Sequence, residues 1–353
     1  MKINNIYTEI ISKENLYRSA CMASKGRRYR DTTADFNFHL EEEVEKLHRE
    51  LADKTYHHGK YRTFTIYDPK ERNIAAAPFR DRVVHHAVHD VIEPIIDKTF
   101  IYDSYACRKD KGTHKAVDRA QSFLRANRFC LHGDIKKYFP SIDRGALSGM
   151  LAKRIMDKDL LWLLGEIMDS ASAISPAGGR GKGLPIGNLT SQFFANLYLN
   201  ELDYFVKFDL RSRYYLRYMD DFLIFGNDKE KLVEAKIKVK DFLKNKLELQ
   251  MHEGKSQIYR TKSGIKFLGF RIYKDYRRLA SDNVRRFKKR IMKFGYLLER
   301  GQISIEQIRD SARCWAAHSR YANTRSLRLG MLKEFAGKYG WSGDLLKPAL
   351  LPA

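Results

Sequence analysis

Tyr214 to Gly226, YYLRYMDDFLIFG, sets two adjacent carboxylates, Asp220 and Asp221, between two short apolar runs. Side chains alternate along a strand, so neighbouring acids point apart unless the backbone turns between them, as it does at a hairpin tip. The stretch therefore predicts two strands hinged at the acidic pair, with both carboxylates aimed at one point. Charge beside a buried strand is costly without a counter-charge, so something cationic is expected there. Alone, an Asp-Asp pair is an ordinary acidic turn; only company elsewhere in the chain makes it specific.

That company is Asp134, at the end of the apolar run FCLHGDI. Residues 128–143, RFCLHGDIKKYFPSID, read as a strand that stops at Pro140, after which Asp143 caps a helix running through Leu147, Leu151 and Ile155. Three carboxylates on neighbouring strands make an oxygen-rich site of the kind Mg²⁺ prefers, with Mn²⁺ as a substitute. Two such ions about 4 Å apart would activate a hydroxyl nucleophile and stabilise a leaving pyrophosphate. The reaction implied is in-line phosphoryl transfer.

Outward from these strands, residues 13–54 are charged and helical in pattern, with Phe38, Val44, Leu47 and Leu51 spaced for one buried face. TFTIYDPKERNIAAAP alternates around an Asp68-Pro69 turn and predicts a hairpin carrying Lys70 and Arg72. Residues 81–98 return to helical spacing, with Pro94 expected to break or kink the helix. A further helix is expected from about Leu160 to Met168. SPAGGRGKGLPIGN, with Gly178, Gly179, Gly181, Gly183 and Gly187, reads as a backbone-exposed loop. It precedes a long helix that buries Leu189, Phe193, Leu197, Leu202, Phe205 and Val206. Residues 229–247 form an amphipathic charged helix, and strands surround IKFLGFRIY. The tail is helical and basic, with 17 Lys or Arg against five acids between Arg271 and Lys333. Its Phe287, Ile291, Phe294, Leu297 and Trp315 suffice for a small bundle.

The 353 residues, 43% of them apolar, can bury a proper core, and the formal charge of +23 calls for a polyanionic partner. Cys21, Cys107, Cys130 and Cys314 form no close pair, so neither a zinc ribbon nor a disulfide framework is expected. No apolar run reaches membrane-spanning or signal-peptide length, and a cytoplasmic protein without membrane spans is the expectation. His85, His86 and His89 lack a fourth ligand at zinc spacing, which favours a helix with packing or RNA contacts.

In order, the parts resemble those of the reverse transcriptases, over roughly residues 55–335. These are the fingers stretch RNIAAAPFRDRVVHHAV, motif A GDIKKYF, motif B around GLPIGNLTSQ, motif C YMDD, motif D around HEGKSQI and motif E FLGF. Within that superfamily the chain is most similar to the enzymes of diversity-generating retroelements. Their motif B reads Ile, Leu or Val, then Gly-x-x-x-Ser-Gln, here Ile186-Gly187-Asn188-Leu189-Thr190-Ser191-Gln192. Most relatives have Gln-Gly-x-x-x-Ser-Pro.

The resemblance implies an α+β right-handed polymerase: N-terminal extension and fingers over 1–125, an antiparallel-sheet palm over 126–275 with interleaved helices, and a helical thumb over 276–353. It implies that Asp134 and Asp220 bind two divalent ions, supported by Asp221. Lys70 and Arg72 would clamp the incoming dNTP, with Arg80 adding charge. Phe139 is either the ring that excludes a 2′-hydroxyl or a core aromatic. Lys255 is either the proton donor to pyrophosphate or a surface amine. Phe267, Leu268, Gly269 and Phe270 would form the primer grip, a core strand, or both. Ile186, Gly187 and Gln192 lie under the templating pair. Replacing an amide by Ile186 removes hydrogen-bonding capacity, so misincorporation opposite template adenines is expected.

The implied partners are template-repeat RNA, the cDNA/RNA heteroduplex and a pentameric accessory variability protein, in a bacterial, archaeal or phage-infected cell. The alternatives are a faithful retron-like or group II intron-like reverse transcriptase, and a non-catalytic RNA-binding scaffold.

Overall fold

The computed structural model describes residues 2–67, 71–174 and 181–339. The charged N-terminal stretch divides into α1 (Tyr7–Ile11), α2 (Lys13–Ser24), α3 (Asp31–Phe38) and α4 (Leu40–Ala52). The Ser12 hydroxyl caps α2 by accepting the Asn15 amide. Val44, Leu47 and Leu51 are buried as their spacing predicts, but Phe38 is 84% exposed. It is the last residue of α3, and the break at His39 takes it out of the register of α4.

β1 (Arg62–Ile66) and β2 (Arg72–Ala76) form the expected antiparallel hairpin, with Arg62 opposite Ala76 and Ile66 opposite Arg72. The Asp68-Pro69 turn and Lys70 lie outside the described residues, as do Gly178 and Gly179 of the glycine-rich loop. Helix α5 (Phe79–Ile96) runs through Pro94 rather than breaking there. Pro94 falls in the last turn, where its missing N–H forfeits one bond of a helix that ends two residues later.

After α6 (Thr113–Ala126), β3 (Phe129–Asp134) stops at Asp134, well short of Pro140. The left-handed Lys137, at φ 47°, takes the chain out of extended backbone, and Pro140 sits in the single turn α7 (Tyr138–Ser141). Asp143 caps α8 (Arg144–Ala152), accepting the Ala146 amide at 2.7 Å. That helix ends before Ile155, which is buried in a bridge to Ile3.

Helix α9 (Lys158–Asp169) is followed by α10 (Leu189–Tyr204), which is buried almost all round. Then come β4 (Tyr215–Tyr218), β5 (Asp221–Gly226), α11 (Lys229–Leu247) and β6 (Gln257–Arg260). A four-stranded sheet has the order β4-β5-β3-β6. β7 (Ile265–Phe267), β8 (Phe270–Ile272) and β9 (Arg277–Leu279) form an antiparallel three-stranded sheet, and the chain continues through α12 (Ser281–Glu299), α13 (Ile305–Ser319) and α14 (Arg325–Tyr339).

Two compact units emerge. One takes the residues up to Asp110, Gly133–Phe222 and Val233–Gln257; the other takes Lys111–His132, Leu223–Leu232 and the residues from Ile258 onward. In the first, α2 packs on α5 and α10 on α5, burying Leu16, Val84, Val88, Ile92 and Leu197. In the second, α6 lies on β8, and the Phe287 ring stacks on Trp315 at 4.0 Å between α12 and α13. Ser304 and Gln307 start α13 with a reciprocal capping box. Among the described residues no helix is long and apolar enough to cross a membrane.

Candidate active site

The YMDD turn and the end of β3 meet within the first unit. β4 and β5 are joined through Met219 and Asp220, and Met219 takes the left-handed backbone at φ 55° that so tight a reversal needs. The Ile135 amide donates to the Asp220 carbonyl at 3.1 Å, so the residue after Asp134 is tied to the turn itself. Closeness here depends on Gly133: an ideal Cβ on it would stand 2.1 Å from Phe222 Cζ. Only hydrogen in place of a side chain lets the Phe222 ring lie against β3 beside the acids.

The 250–256 loop fixes Asp134 from the other side. His252 donates its amide to the Asp134 carbonyl at 2.7 Å, Lys136 donates to the Gln250 carbonyl at 2.8 Å, and Ile135 bridges Met251 antiparallel. The Asp134 amide donates to the buried Ser256 hydroxyl at 3.2 Å. Lys255 projects from the same loop and donates to Asp134 Oδ1 at 2.7 Å.

Burial pushes the Asp220 carboxyl up to about 6, and the charges of Asp134 and Asp221 push the same way, against the Lys255 ammonium. All three acids are partly exposed. Among the described residues, no three His, Cys, Asp or Glu side chains already form a metal-binding cluster. The donor chemistry nonetheless fits a hard divalent cation: carboxylate oxygens whose mutual repulsion such an ion would relieve.

Arg72 is exposed on β2. Arg80 is one quarter exposed, donates to Glu50 and lies over the Tyr56 ring at 5.6 Å. Phe139 is half-buried with its ring edge-on to Tyr138, and its carbonyl accepts the Leu184 amide at 3.0 Å. Motif B docks on the hairpin: the Ile186 carbonyl accepts the Ala75 amide at 3.0 Å, and Gly187 sits at φ 118°, where a Cβ would meet Ile74 at 3.0 Å. Gln192 lies partly exposed in the first turn of α10. Phe267, Leu268, Gly269 and Phe270 form the β7–β8 turn in the second unit, with Phe267 and Phe270 buried and positive φ at Leu268 and Gly269. His85 is buried, its Nδ1 3.4 Å from Thr190 Oγ1, as a packing role requires.

Reading the sequence missed Gly133 and Ser256. It also passed over Arg217, although a charged residue inside an otherwise apolar strand run was the signal available.

A family model described as reverse transcriptase (RNA-dependent DNA polymerase) matches residues 62–272. The chain is 26% identical over 329 residues to the group II intron-encoded protein LtrA of Lactococcus lactis subsp. cremoris, covering 74% of this chain and 54% of that protein. It is 24% identical over 253 residues to protein YkfC of Escherichia coli, covering 59% and 65%. It thus spans only about half to two-thirds of the length of these relatives. The structure of apo telomerase from Candida tropicalis is similar in fold, with a TM-score of 0.51 at 14% identity, covering 83% of this chain and 60% of that one. That likeness and the mixture of helices with antiparallel sheets make the fold an α+β polymerase fold. With the family model spanning more than half its length, this chain belongs to the reverse transcriptase (RNA-dependent DNA polymerase) family.

Proposed function

We propose that the chain is an RNA-directed DNA polymerase that joins deoxynucleotides to a primer 3′-hydroxyl against an RNA template. The observation that carries this reading is the bond from the Ile135 amide to the Asp220 carbonyl, which holds the Asp134 strand against the YMDD turn. Asp134 and Asp220 would hold the divalent ions, Mg²⁺ by preference, with Asp221 supporting them. When bound, such ions supply activation of the hydroxyl and charge neutralisation at the pyrophosphate.

The chain's own residues do the rest. Lys70, Arg72 and Arg80 would draw in the triphosphate, Phe139 would exclude a 2′-hydroxyl, and Lys255 would hand a proton from Nζ to the departing pyrophosphate. Fingers to residue 125, palm over 126–275 and thumb from 276, with the primer grip at 267–270, complete the assignment. The basic tail suits a polyanionic substrate, as do Lys136 and Lys244 in a cavity of about 490 Å³ whose Lys240 is paired with Glu253.

Primer extension on an RNA template with Mg²⁺ tests the proposal. Incorporation should vanish in the Asp220→Ala/Asp221→Ala protein, and equal incorporation by that protein and the wild type would end the polymerase reading.

We further propose the diversity-generating subtype, copying template-repeat RNA into adenine-mutagenised cDNA with a pentameric accessory protein as partner. Its support is motif B, with Ile186 where most relatives carry Gln and Gln192 where they carry Pro. The similarity to a group II intron-encoded protein favours the second reading, a faithful enzyme. The error spectrum separates them: wild-type cDNA without excess errors at template adenines points to the faithful enzyme, whereas in the diversity-generating reading Ile186→Gln should lower those errors, and an unchanged spectrum in that variant refutes the role given to Ile186.

A further inference from the structure

Directly behind the YMDD turn lies a completely buried ion pair, Arg217 with Asp203, both 0% exposed. Arg217 Nε donates to Asp203 Oδ1 at 2.7 Å and Nη2 to Oδ2 at 2.6 Å, the bidentate fork that guanidinium and carboxylate make together. Its Nη1 donates to the Asn196 side-chain oxygen at 3.1 Å and to the Met219 carbonyl at 3.2 Å, while Nη2 also reaches the Asn196 carbonyl at 3.5 Å. All five N–H groups of the guanidinium are therefore engaged. The Tyr215 hydroxyl donates to Asp203 Oδ1 at 2.6 Å, and Asn196 is anchored through its Nδ2 to the Ala106 carbonyl at 2.8 Å.

Two features make this more than a core ion pair. Met219 is a non-glycine residue in left-handed backbone, which persists only where surrounding contacts hold it. The carbonyl that Arg217 grips is that of Met219, directly before Asp220, while the Asp220 carbonyl accepts the Ile135 amide. The turn is thus pinned at two successive peptides, one by α10 through Arg217 and one by Ile135, the residue after β3. In addition, Asn196 and Asp203 both lie on α10, the helix that opens with the motif B residues Thr190, Ser191 and Gln192.

We propose that Arg217 is a positioning residue for the polymerase site. Without touching substrate, it locks the backbone of Met219 and so fixes where the Asp220 carboxylate stands relative to Asp134, coupling α10 to the catalytic turn. Lysine cannot replace it, because one ammonium cannot span Asp203, Asn196 and the Met219 carbonyl at once. The inference rests on the polymerase reading above.

Removing one partner strands a buried charge and risks misfolding, whereas replacing both with apolar residues of similar volume is tolerated in protein interiors. The test therefore pairs Arg217→Met/Asp203→Leu with Arg217→Lys and Asp220→Asn, each checked for melting temperature and then for primer extension across a Mg²⁺ titration. In the double variant and in Arg217→Lys, kcat should fall about 10- to 100-fold, as loss of an outer-sphere partner typically does, and the Mg²⁺ concentration for half-maximal rate should rise with the dNTP KM less affected. A purely structural role would lower the melting temperature and leave the Mg²⁺ midpoint of the folded protein where it was. Wild-type kcat and Mg²⁺ midpoint in either folded variant overturn the proposal. Activity surviving in Asp220→Asn would instead overturn the underlying polymerase reading.

Discussion

Replacing Gly133 by alanine measures how closely β3 and β5 must lie for the acids to work together. An ideal Cβ at that position would stand 2.1 Å from Phe222 Cζ and 2.4 and 2.6 Å from its two Cε atoms. Carbon atoms in good contact sit about 3.5–4.0 Å apart, so relieving the clash takes more than an ångström of movement. Phe222 is 0% exposed, and protein interiors are close-packed, so a shift of its ring displaces neighbouring side chains. Overpacking of this kind costs about 1–3 kcal/mol of stability.

The effect on turnover should be larger than the effect on stability. Gly133 precedes Asp134 and Phe222 follows Asp221, so separating the two residues spreads the carboxylates. A misplacement of about 1 Å in a catalytic constellation costs on the order of 100-fold in rate. Thermal melting followed by single-nucleotide primer extension reads both quantities from one preparation. The expected protein folds, melts lower and turns over about 100-fold more slowly, and Phe222→Leu added to Gly133→Ala should recover part of both losses by coupling. A Gly133→Ala protein with the wild-type melting temperature and turnover would refute the reasoning.

The Lys255–Asp134 ion pair is partly solvent-exposed, so Lys255→Met should change stability by less than about 1 kcal/mol. As a general acid it should lower kcat by about 10²- to 10⁴-fold, and unchanged turnover would leave Lys255 a surface amine. Burial holds the His85 imidazole well below its ordinary pKa, so the folded protein keeps it neutral while the unfolded chain takes up a proton below about 6.5. Stability should therefore be fully present above that pH and fall beneath it, by up to about 1.4 kcal/mol per pH unit. Urea midpoints measured on both sides of the histidine range check this, and His85→Gln should flatten the dependence; an equally steep profile in that variant would assign the effect to half-buried His86 or His318.

Much of the chain could be read in one dimension because the signals are local. Alternation and helical spacing gave the β1–β2 hairpin, the strands on either side of YMDD, the Asp143 cap and the helix at 229–247. Where the reading failed, a local rule met a tertiary circumstance. Pro94 breaks a helix only if turns remain to be broken, and it fell in the last one. Phe38 stands six residues before Val44 but in a different helix. Pro140 does not end the strand, which has already stopped at Asp134, where the backbone of the 250–252 loop takes over the pairing.

The reverse transcriptase family was legible in the linear order of Asp134, YMDD and the motifs around them, since order and spacing belong to the chain itself. Relations across long separations had to wait for three dimensions. The Ile135 bond to Asp220 brings together positions 85 residues apart in the chain, the side-chain-free surface of Gly133 matters only because Phe222 lies on it, and nothing local marks Arg217 as the group that Asp203, Asn196 and the Met219 carbonyl surround. A sequence records which groups can bond; packing alone decides which of them meet, because a hydrogen bond or a steric clash is settled within a few ångströms of space rather than along the chain.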